Sequence, residues 1–451
     1  MPISPARRAA FEILRRVEEE SAYASSLLAT IDERLRGDDR SLCHELVLGV
    51  LRRQLWLDSL IEHFGNRRLD KIDLPVKLAL RLGLYQLRFL SRVPASAAVN
   101  DSVNLVGAAG KRSAAGFANA VLRRAAREPT YDPAGEVSNP IEKLAIETSH
   151  PVWLLERWSK ALGLEQAGAL ARANNEPAPV AFRWTAKTFS DSSGAAQVID
   201  QMTAAGLDLQ PSKLTPNSWR LSGHRSAVLR KFIDAGLVYL QDEASQLVGH
   251  FLDAQGADRV LDVCAAPGSK TTLIAALAPN ASIVAIDLYE HRLRTLRELA
   301  AIQGNHSIQV AVADTTGALP FARASFDRVL VDAPCSGTGT LRRNPEIRWR
   351  LSESDIVELA AKQRKILEQA AEMVRPGGQL VYSTCSLEPE ENEAVVEAIL
   401  TEQTGFDQMD LPNLSISDHP VDLATPTGAI RTWPHRHDVD GFFVMAFQRC
   451  R

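Results

Sequence analysis

The sequence predicts a multidomain protein with an all-α amino-terminal part, a small α+β insertion and a carboxyl-terminal α/β part of the Rossmann-like kind. Its 451 residues are too many for one ordinary hydrophobic core. Apolar residues recur at helical spacing near the amino terminus, whereas short apolar strands alternate with helices in the last part of the chain. We therefore predict a helical domain at 1–128, a linker at 129–140, a small α+β region at 141–240 and an α/β domain at 241–451.

The amino-terminal part is predicted to be helical throughout. Apolar residues recur three or four positions apart in runs that begin at Ala10, Leu46 and Val76. Pro75 lies at a plausible first helical turn, and Pro94 follows the third run. Residues 1–128 carry 21 Lys and Arg against 15 Asp and Glu, a net charge of +6, whereas the remainder carries 30 against 40, a net charge of −10. This asymmetry is expected when one module binds a polyanion such as RNA, although a solvated arginine-rich surface would give the same count.

The middle of the chain is predicted to contain a linker and an insertion. Residues 129–140 contain Pro129, Pro133, Gly135 and Pro140 in a polar setting, which is typical of a linker. Residues 141–240 mix two helical patterns with short strand-like pieces.

The α/β part alternates apolar strands with helices, which predicts a mainly parallel, doubly wound sheet. The predicted strands are Val260–Val263, Ile283–Ile286, Ile308–Val312, Val329–Val331, Leu380–Tyr382 and Phe442–Phe447. The predicted helices between them are Thr271–Leu277, His291–Ala301 and Ile356–Val374.

The loop after the first of these strands has the character of a ligand-binding turn. The small residues Ala265, Ala266 and Gly268 let a ligand approach the backbone closely. The helix that starts after Gly268 presents an amino terminus that suits a carboxylate or phosphate. The Walker A pattern is excluded because an earlier glycine is missing and Ser269 precedes Lys270, and GxGxxG is absent as well.

Acidic residues follow three later strands at the edge where ligands bind in such sheets. Asp287 lies 25 residues beyond Asp262, where an acidic residue can accept hydrogen bonds from both hydroxyls of a ribose. Asp314 follows the third strand, where a carboxylate can hydrogen-bond the edge of an adenine ring. Asp332 follows the fourth strand. Each aspartate could instead cap the helix that follows it. Their common position at one sheet edge favours a ligand site.

Two of the five cysteines lie in Gly/Ser-rich turns at the ends of adjacent predicted strands: Cys335 and Cys385. No pair of cysteines has CxxC spacing, so we expect neither a zinc site nor a disulfide framework, and free thiols fit a reducing cytoplasm. A lone buried cysteine is usually a small hydrophobic residue. Two cysteines at the ligand-binding edge of the sheet favour a catalytic role.

Cysteine chemistry at this edge suits methylation of C5 of cytosine. A thiolate that adds to C6 makes C5 nucleophilic enough to accept a methyl group, and the site must help to ionise the thiol. Asp332 is placed to hydrogen-bond the N3/N4 edge of the base. By this reasoning either cysteine could be the nucleophile.

In combination, these motifs resemble the Sun/Fmu (RsmB-like) family of bacterial 16S ribosomal RNA cytosine-C5 methyltransferases, over essentially the whole chain. The segments that carry the resemblance are Gln241–Ser245, Asp262–Thr271, Asp332–Gly337, Ser383–Ser386, Pro434–His437 and Gly441–Phe443. Ala97–Asp101 and Phe117–Arg124 resemble a NusB-type RNA-binding domain. Ser269 departs from the family, which usually has glycine there, and we expect a modest effect on cofactor affinity.

The resemblance implies S-adenosylmethionine as the cofactor and assigns roles to individual residues. Cys385 is the implied nucleophile, Cys335 assists product release, and Asp332 and Lys270 complete the catalytic set. The implied cofactor contacts are Cys264, Ala265, Ala266, Pro267, Gly268, Ser269, Lys270, Asp287, Asp314 and Asp332.

The implied function is methylation of a cytosine in 16S ribosomal RNA, in a loop or flipped out of its stack. We expect a cytoplasmic monomer that uses neither a metal nor a membrane. The alternatives are methylation of a transfer RNA cytosine, a non-catalytic NusB-like assembly factor, and methylation of a small molecule or protein. The assembly factor predicts decayed site residues, and the last alternative needs no second cysteine.

Overall fold

A computed structural model describes the chain at residues 3–31, 35–189, 192–222, 227–402, 405–409 and 422–451. The chain forms two compact units. Unit 1 comprises Met1–Pro177 together with Leu341–Arg350, and unit 2 comprises Ala178–Thr340 together with Leu351–Arg451. The predicted fold class is confirmed, with a helical amino-terminal part, a small sheet and a Rossmann-like sheet.

The helices, numbered along the chain, are α1 (Pro5–Glu19), α2 (Ala24–Ile31), α3 (Gly37–Arg52), α4 (Gln54–Gly65), α5 (Leu74–Phe89), α6 (Ala95–Ala108), α7 (Ala115–Arg127), α8 (Pro140–Thr148), α9 (Val152–Leu162), α10 (Leu164–Ala173), α11 (Ala186–Phe189), α12 (Ser192–Ala204), α13 (Ala227–Asp234), α14 (Glu243–Phe251), α15 (Ser269–Leu277), α16 (Glu290–Gln303), α17 (Ile347–Arg350), α18 (Glu353–Met373), α19 (Glu393–Glu402) and α20 (Pro434–His437). Short 3-10 helices lie at Leu69–Lys71, Arg112–Ala114, Thr338–Thr340 and Pro389–Glu391.

The strands are β1 (Val180–Trp184), β2 (Asp208–Pro211), β3 (Ser218–Ser222), β4 (Val238–Leu240), β5 (Arg259–Asp262), β6 (Ser282–Asp287), β7 (Ile308–Val312), β8 (Phe326–Asp332), β9 (Val374–Thr384), β10 (Phe406–Met409), β11 (Ile430–Arg431) and β12 (Phe443–Arg449).

Unit 1 is helical because its apolar residues fall on one face of each helix. The buried apolar face of α1 consists of Ala6, Ala10, Phe11, Ile13, Leu14 and Val17. Ser4 caps this helix, and Pro5 occupies its first turn, where a missing N–H is harmless. Helices α5 and α7 approach closely at Gly83, where a Cβ atom would lie 2.6 Å from a methyl carbon of Leu122. The stretch between α7 and α8, predicted as a linker, contains turns and no helix or strand.

Residues 341–350 belong to unit 1 although the chain on either side belongs to unit 2. The guanidinium of Arg348 is fully buried and donates to the Ser149 carbonyl and to Oδ1 of Asn175, both at 3.0 Å. Arg350 donates to the carbonyls of Val17 and Ala22, both at 2.7 Å. The segment is therefore anchored by arginine side chains that end on backbone carbonyls.

The smaller sheet of unit 2 has the strand order β2-β3-β1-β4, with every pair antiparallel. Its core includes Phe182, Trp184, Val198, Met202 and Leu229. The region predicted at 141–240 is divided between the units, because residues 141–177 group with unit 1 and residues 178–240 with unit 2. The predicted boundaries thus differ from those of the compact units.

The larger sheet has the order β7-β6-β5-β8-β9-β12-β10, and β11 pairs with β12. Strands from β7 to β9 run parallel, whereas β12 is antiparallel to β9 and β10 is antiparallel to β12. The strand order reverses at β5, which has β6 on one side and β8 on the other. A ligand crevice is expected at the carboxyl ends of the strands at this point.

Both faces of the larger sheet are buried, which explains its continuous apolar strands. Leu261, Val329 and Tyr382 pack in one core cluster, whereas Val260, Leu330 and Val381 pack in another. Successive side chains of a strand point to opposite faces, so the two clusters cover the two sides. Among the described residues, no helix is long and apolar enough to cross a membrane.

Candidate active site

The predicted cofactor loop joins β5 to α15. The loop is held by backbone bonds to two neighbouring strands: Val263 donates to the Leu330 carbonyl and Ala265 to the Ile286 carbonyl, both at 2.9 Å. Gly268 adopts a φ of 109°, and a Cβ atom there would lie 2.7 Å from Cγ of Leu296. A side chain at this position would therefore be both strained and crowded. The Ala266–Pro267 peptide bond is cis.

Asp262 ends β5 beneath this loop and is almost completely buried. Its Oδ2 atom accepts a hydrogen bond from the Thr271 hydroxyl at 2.7 Å, whereas Oδ1 has no partner among the described residues. Burial raises the pKa of Asp262 to about 7. A buried acceptor without a donor indicates a ligand or water that donates to it. S-adenosylmethionine offers an ammonium group and ribose hydroxyls, so the donor chemistry fits.

Asp287 lies at the end of β6, and its carboxylate accepts several hydrogen bonds. Oδ2 accepts from the Ala266 N–H at 3.2 Å and from Arg292 at 3.4 Å, and Oδ1 accepts from the Tyr289 N–H at 3.1 Å. Arg292 also donates to the Ala266 carbonyl at 2.5 Å. The carboxylate therefore fixes the cofactor loop against β6, and its contact with a ribose stays a prediction.

The hydrogen bonds described for the side chains of Asp314 and Cys264 go to neighbouring threonines and not to the other residues of the predicted site. Asp314 is exposed, and its Oδ1 atom accepts from the Thr316 N–H at 2.9 Å and the Thr316 hydroxyl at 2.7 Å. These bonds lower the pKa of Asp314. The thiol of Cys264 lies 3.9 Å from the Thr315 hydroxyl, and burial raises its pKa to about 12. Asp314 thus caps a turn, and Cys264 stays a neutral thiol.

Asp332 and Lys270 form an ion pair that connects the cofactor loop to the cysteine motifs. Lys270 Nζ donates to Asp332 Oδ2 at 2.7 Å, and the Ser383 hydroxyl donates to Oδ1 at 2.8 Å. Burial lowers the pKa of Lys270, but the carboxylate of Asp332 more than offsets this, so the pKa is raised overall. Lys270 also lies over the ring of Phe442, at 5.0 Å from its centre. Lys270 is therefore a fixed cation and not a base.

The two predicted catalytic cysteines lie side by side. Their sulfur atoms are 3.3 Å apart, which is a hydrogen-bonding distance and not a disulfide. The hydrogen bond to Cys385, together with burial, raises the pKa of Cys335 well above its ordinary value. Cys335 is therefore a protonated thiol, and the distance alone leaves either sulfur as the hydrogen-bond donor. The turns from β8 and β9, separated by 50 residues, bring one thiol each to this point.

Two glycines allow the segments around the thiols to pack closely. A Cβ atom at Gly339 would lie 2.1 Å from the Gly441 carbonyl oxygen and 2.8 Å from the Cys385 carbonyl oxygen. Gly339 also donates to that Cys385 carbonyl, and Gly441 donates to the Gly339 carbonyl. The motif that contains Gly441 and Phe442 therefore reaches the site.

Glu391, which no sequence motif identified, is completely buried behind the two cysteine turns. Its Oε1 atom accepts from the Ser336 N–H at 2.8 Å and from Gln363 at 2.9 Å. Its Oε2 atom accepts from the hydroxyls of Ser336 and Ser386. The sequence feature that could have indicated a shared acceptor is the serine that directly follows each cysteine.

Arg183 on β1 was also missed. Its guanidinium is fully buried and donates to the Ser269 carbonyl at 2.8 Å and to the Thr272 hydroxyl at 2.9 Å. The described residues place no carboxylate against it, and burial lowers its pKa to about 9. It anchors the first turn of α15 from the smaller sheet, a contact between positions 86 residues apart.

Comparison with known proteins gives a consistent pattern along the chain. Residues 249–448 match the family described as 16S rRNA methyltransferase RsmB/F. Residues 4–127 match the NusB family, and residues 150–227 match an RsmF/B-like, ferredoxin-like domain.

Several named relatives match over nearly their whole length. A probable ribosomal RNA small subunit methyltransferase B of Bacillus subtilis is 34% identical, with 98% of each chain covered. A protein of the same name from Synechocystis is 36% identical, covering 97% of this chain and 98% of the relative. The crystal structure of PH0851 is 26% identical with a TM-score of 0.84 over both full chains. A methyltransferase homologue from Pyrococcus horikoshii is 26% identical with a TM-score of 0.58, covering 69% of this chain and all of that one.

Proposed function

The chain belongs to the RsmB/F family of 16S rRNA methyltransferases, and from this premise we propose that it methylates C5 of a specific cytosine in 16S ribosomal RNA through a covalent cysteine adduct. Membership supports methylation of ribosomal RNA with S-adenosylmethionine. The observation that carries the finer proposal is the pair of thiols 3.3 Å apart at the ligand edge of the sheet. A methyltransferase that transfers to an already nucleophilic atom has no need of such a pair.

The residues around the loop fit S-adenosylmethionine. The free Oδ1 atom of Asp262 would accept from the ammonium group, and Asp287 would accept from a ribose hydroxyl. The N–H groups at the first turn of α15 would hold the carboxylate of the cofactor, and the Ser269 hydroxyl would be an additional donor. When bound, the cofactor supplies an electrophilic methyl group on a sulfonium. Cys264, Asp314 and the remaining loop residues stay predicted contacts.

Cys385 is proposed as the nucleophile because Cys335 is the thiol that keeps its proton. The Cys385 thiolate adds to C6 of the cytosine, and the electron pair of the C5=C6 bond moves to C5. C5 takes the methyl group, and the broken carbon–sulfur bond would leave its electron pair on the donor as a neutral thioether. A base then removes the C5 proton, the C6–S bond breaks with its electron pair returning to sulfur, and the C5=C6 double bond is restored. The Cys335 thiol stabilises the departing thiolate by donating a hydrogen bond to it.

The Lys270–Asp332 pair is proposed to handle the charge that develops on the base. Addition of a thiolate to C6 places negative charge on the ring, towards N3 and O2. Lys270 is buried and cationic, so it can stabilise this charge without moving. Asp332 is about one-quarter exposed and can accept from the N4 amino group, which distinguishes cytosine from uracil.

Trapping of the adduct tests the assignment of the two cysteines. Three variants are incubated with rRNA and cofactor and run on a denaturing gel: Cys335→Ala, Cys385→Ala and, as a matched control at an exposed cysteine outside the site, Cys450→Ala. We expect Cys335→Ala to accumulate a denaturation-resistant adduct, because expulsion of the thiolate is slowed. Cys385→Ala should form none, and Cys450→Ala should turn over. An adduct only in Cys385→Ala would reverse the two roles.

Bisulfite sequencing of ribosomal and transfer RNA from cells with and without the protein tests the substrate. We expect one cytosine of 16S rRNA to lose its protection in the deletion strain, and the Cys385→Ala chain should not restore it. Loss of protection in a transfer RNA alone would replace the proposed substrate. Unchanged bisulfite patterns would favour a non-catalytic role in assembly. The proposal includes a cytoplasmic reaction, which the free cysteines support.

A further inference from the structure

We propose that Glu391 is a positioning residue that keeps the proton of the cysteine pair on Cys335, and so leaves Cys385 as the thiolate. This inference rests on the proposed roles of the two cysteines. It goes beyond them by naming the group that makes two otherwise similar thiols different. Glu391 touches neither the proposed substrate nor the proposed cofactor and acts through the cysteine turns.

The first observation is that one carboxylate holds both turns. Ser336 follows Cys335 and Ser386 follows Cys385, and the hydroxyls of both serines donate to the same Oε2 atom. The two serine oxygens lie 3.0 Å apart. The spacing of the sulfur atoms is therefore coupled to a single side chain beneath them.

The second observation is that Glu391 is itself immobilised. Gln363 on α18 donates to Oε1 at 2.9 Å, and the Tyr382 hydroxyl donates to the Glu391 carbonyl at 2.6 Å. The same hydroxyl lies 3.2 Å from Oε1 of Gln363, so its single hydrogen is shared between the two acceptors. Every polar contact described for the Glu391 side chain is a donor to it, and none of them is a cation. This is the pattern of an acceptor-only carboxylate whose charge is not neutralised by a partner.

The third observation is the arrangement of charges around the two thiols. The negative charge of Glu391 acts on Cys335 and disfavours its ionisation, in addition to the hydrogen bond and burial. The positive charge of Lys270 interacts favourably with the Cys385 thiolate. The other titratable groups here are Asp332, paired with Lys270, and Tyr382, whose pKa burial raises well above its ordinary value. Because Glu391 acts on Cys335 and Lys270 acts on Cys385, the two charges favour the proton on Cys335.

Glu391→Gln separates the charge from the geometry. A glutamine amide can donate one hydrogen to each serine hydroxyl, while its oxygen still accepts from the Ser336 N–H and from Gln363. The hydrogen-bond network is thus kept with two bonds reversed, and only the charge is lost. A purely structural role for Glu391 predicts little change in this variant.

The experiment measures alkylation of the full chain by iodoacetamide without RNA or cofactor. Initial rates at Cys335 and Cys385 are read from their peptides by mass spectrometry over about pH 6 to 10. In Glu391→Gln we expect Cys335 to be alkylated about tenfold faster at each pH below its midpoint, which is the effect of removing one nearby like charge. The preference for Cys385 over Cys335 at pH 8 should fall about tenfold. Glu397→Gln, the same change at an exposed position of α19, should match the unmodified chain.

An unchanged pair of profiles in a folded Glu391→Gln chain would overturn the proposal. Should that variant not fold, the pair Glu391→Asp and Glu391→Asn repeats the comparison with a side chain one methylene shorter. The proposal then requires Cys335 of the Asp variant to react slowly at pH 8 and Cys335 of the Asn variant to react about tenfold faster, and equal rates would refute it. Because no methyl transfer is measured, a negative result leaves the proposed function standing.

Discussion

At the scale of single residues, the aspartates at the strand ends differ in how many donors reach them. Asp287 accepts from two backbone N–H groups and a guanidinium, whereas the described part of the chain supplies Asp262 with a single hydroxyl. Asp314 is occupied by the turn that it caps. In the sequence the three aspartates have the same local pattern. Their difference depends on which donors the fold brings close, and periodicity and spacing carry no information on that.

Asp262 should make the fold less stable as the solution becomes more alkaline. Its pKa is raised by burial to about 7, so between the unfolded value near 4 and about 7 the folded chain binds more protons than the unfolded chain. The free energy of unfolding therefore falls as the pH rises through this window. Asp262→Asn has no carboxyl group that titrates in this window. We therefore expect the free energy of unfolding to fall by roughly 2–4 kcal/mol less in this variant between pH 4 and pH 8 than in the unmodified chain.

Urea unfolding of the cofactor-free protein at both pH values measures this difference. Asp258→Asn, an exposed position just before β5, is the matched control and should keep the pH dependence of the unmodified chain. Isothermal titration with S-adenosylmethionine at pH 8 should show weaker binding by Asp262→Asn. An Asn variant that binds the cofactor as tightly as the unmodified chain would remove Asp262 from the cofactor site.

At the scale of elements, the strands of the larger sheet could be predicted because their signal is local. The predicted strand at Ile308–Val312 has the observed bounds, and the others are found with ends shifted by a few residues. The largest shift is at β9, which begins at Val374, well before the predicted start at Leu380. Its pairing with β8 changes register between Phe326 and Arg328. Since the site lies at the strand ends, placing the strands was enough to place both cysteines.

Contacts between distant elements could not be predicted. Arg183 reaches the first turn of α15 across 86 positions, and Glu391 reaches Ser336 across 55. Each is a charged residue in an apolar or mixed setting, which the sequence alone presents as an ordinary surface residue. Their burial follows from sheet order and helix packing, which no local pattern specifies.

Gly339→Ala should separate the three segments that meet beside the thiols. The added Cβ atom would lie 2.1 Å from the Gly441 carbonyl oxygen, and both neighbours are backbone atoms that cannot rotate away. We expect a loss of about 1–3 kcal/mol in the free energy of unfolding, as for overpacked sites. Adduct formation by Cys385 should fall more steeply, because its own carbonyl is one of the displaced groups.

Gly317→Ala provides the control, since a Cβ atom there would meet nothing within 4 Å and the backbone needs no left-handed conformation. It should leave both the thermal midpoint and the adduct yield within error of the unmodified chain. A Gly339→Ala protein with normal adduct yield would show that the close approach of these segments is not required.

At the scale of the whole molecule, the positive charge of residues 1–128 is carried in part by exposed arginines. Arg67, Arg123 and Arg124 are exposed, and Arg67 stacks over the ring of Phe117 at 5.1 Å. Arg52, in contrast, is largely buried and donates to the Arg342 carbonyl at 2.8 Å. The structure thus separates arginines that an RNA phosphate can reach from one that holds unit 1 together.

Neutralising Arg67, Arg123 or Arg124 to glutamine should weaken RNA binding and lower its dependence on salt. Each phosphate contact that is lost should reduce the slope of log K against log salt by about 1. Fluorescence anisotropy over a range of salt concentrations measures the slope. Arg294→Gln, at an exposed position of α16 paired with Glu290, is the control and should leave the slope unchanged. Equal slopes for all four variants would exclude these arginines from RNA binding.

The placement of residues 341–350 in unit 1 limits how this chain can be divided by protein engineering. A single cut after Pro177 would remove Arg348 and Arg350 from the helical fragment. In the other fragment, these two arginines would no longer have the carbonyls of Ser149 and Val17 as hydrogen-bond acceptors. Neither fragment would be a faithful copy of its unit. Transplanting the helical unit onto another methyltransferase would therefore require two insertions into the recipient gene, one at the start and one between its two cysteine codons.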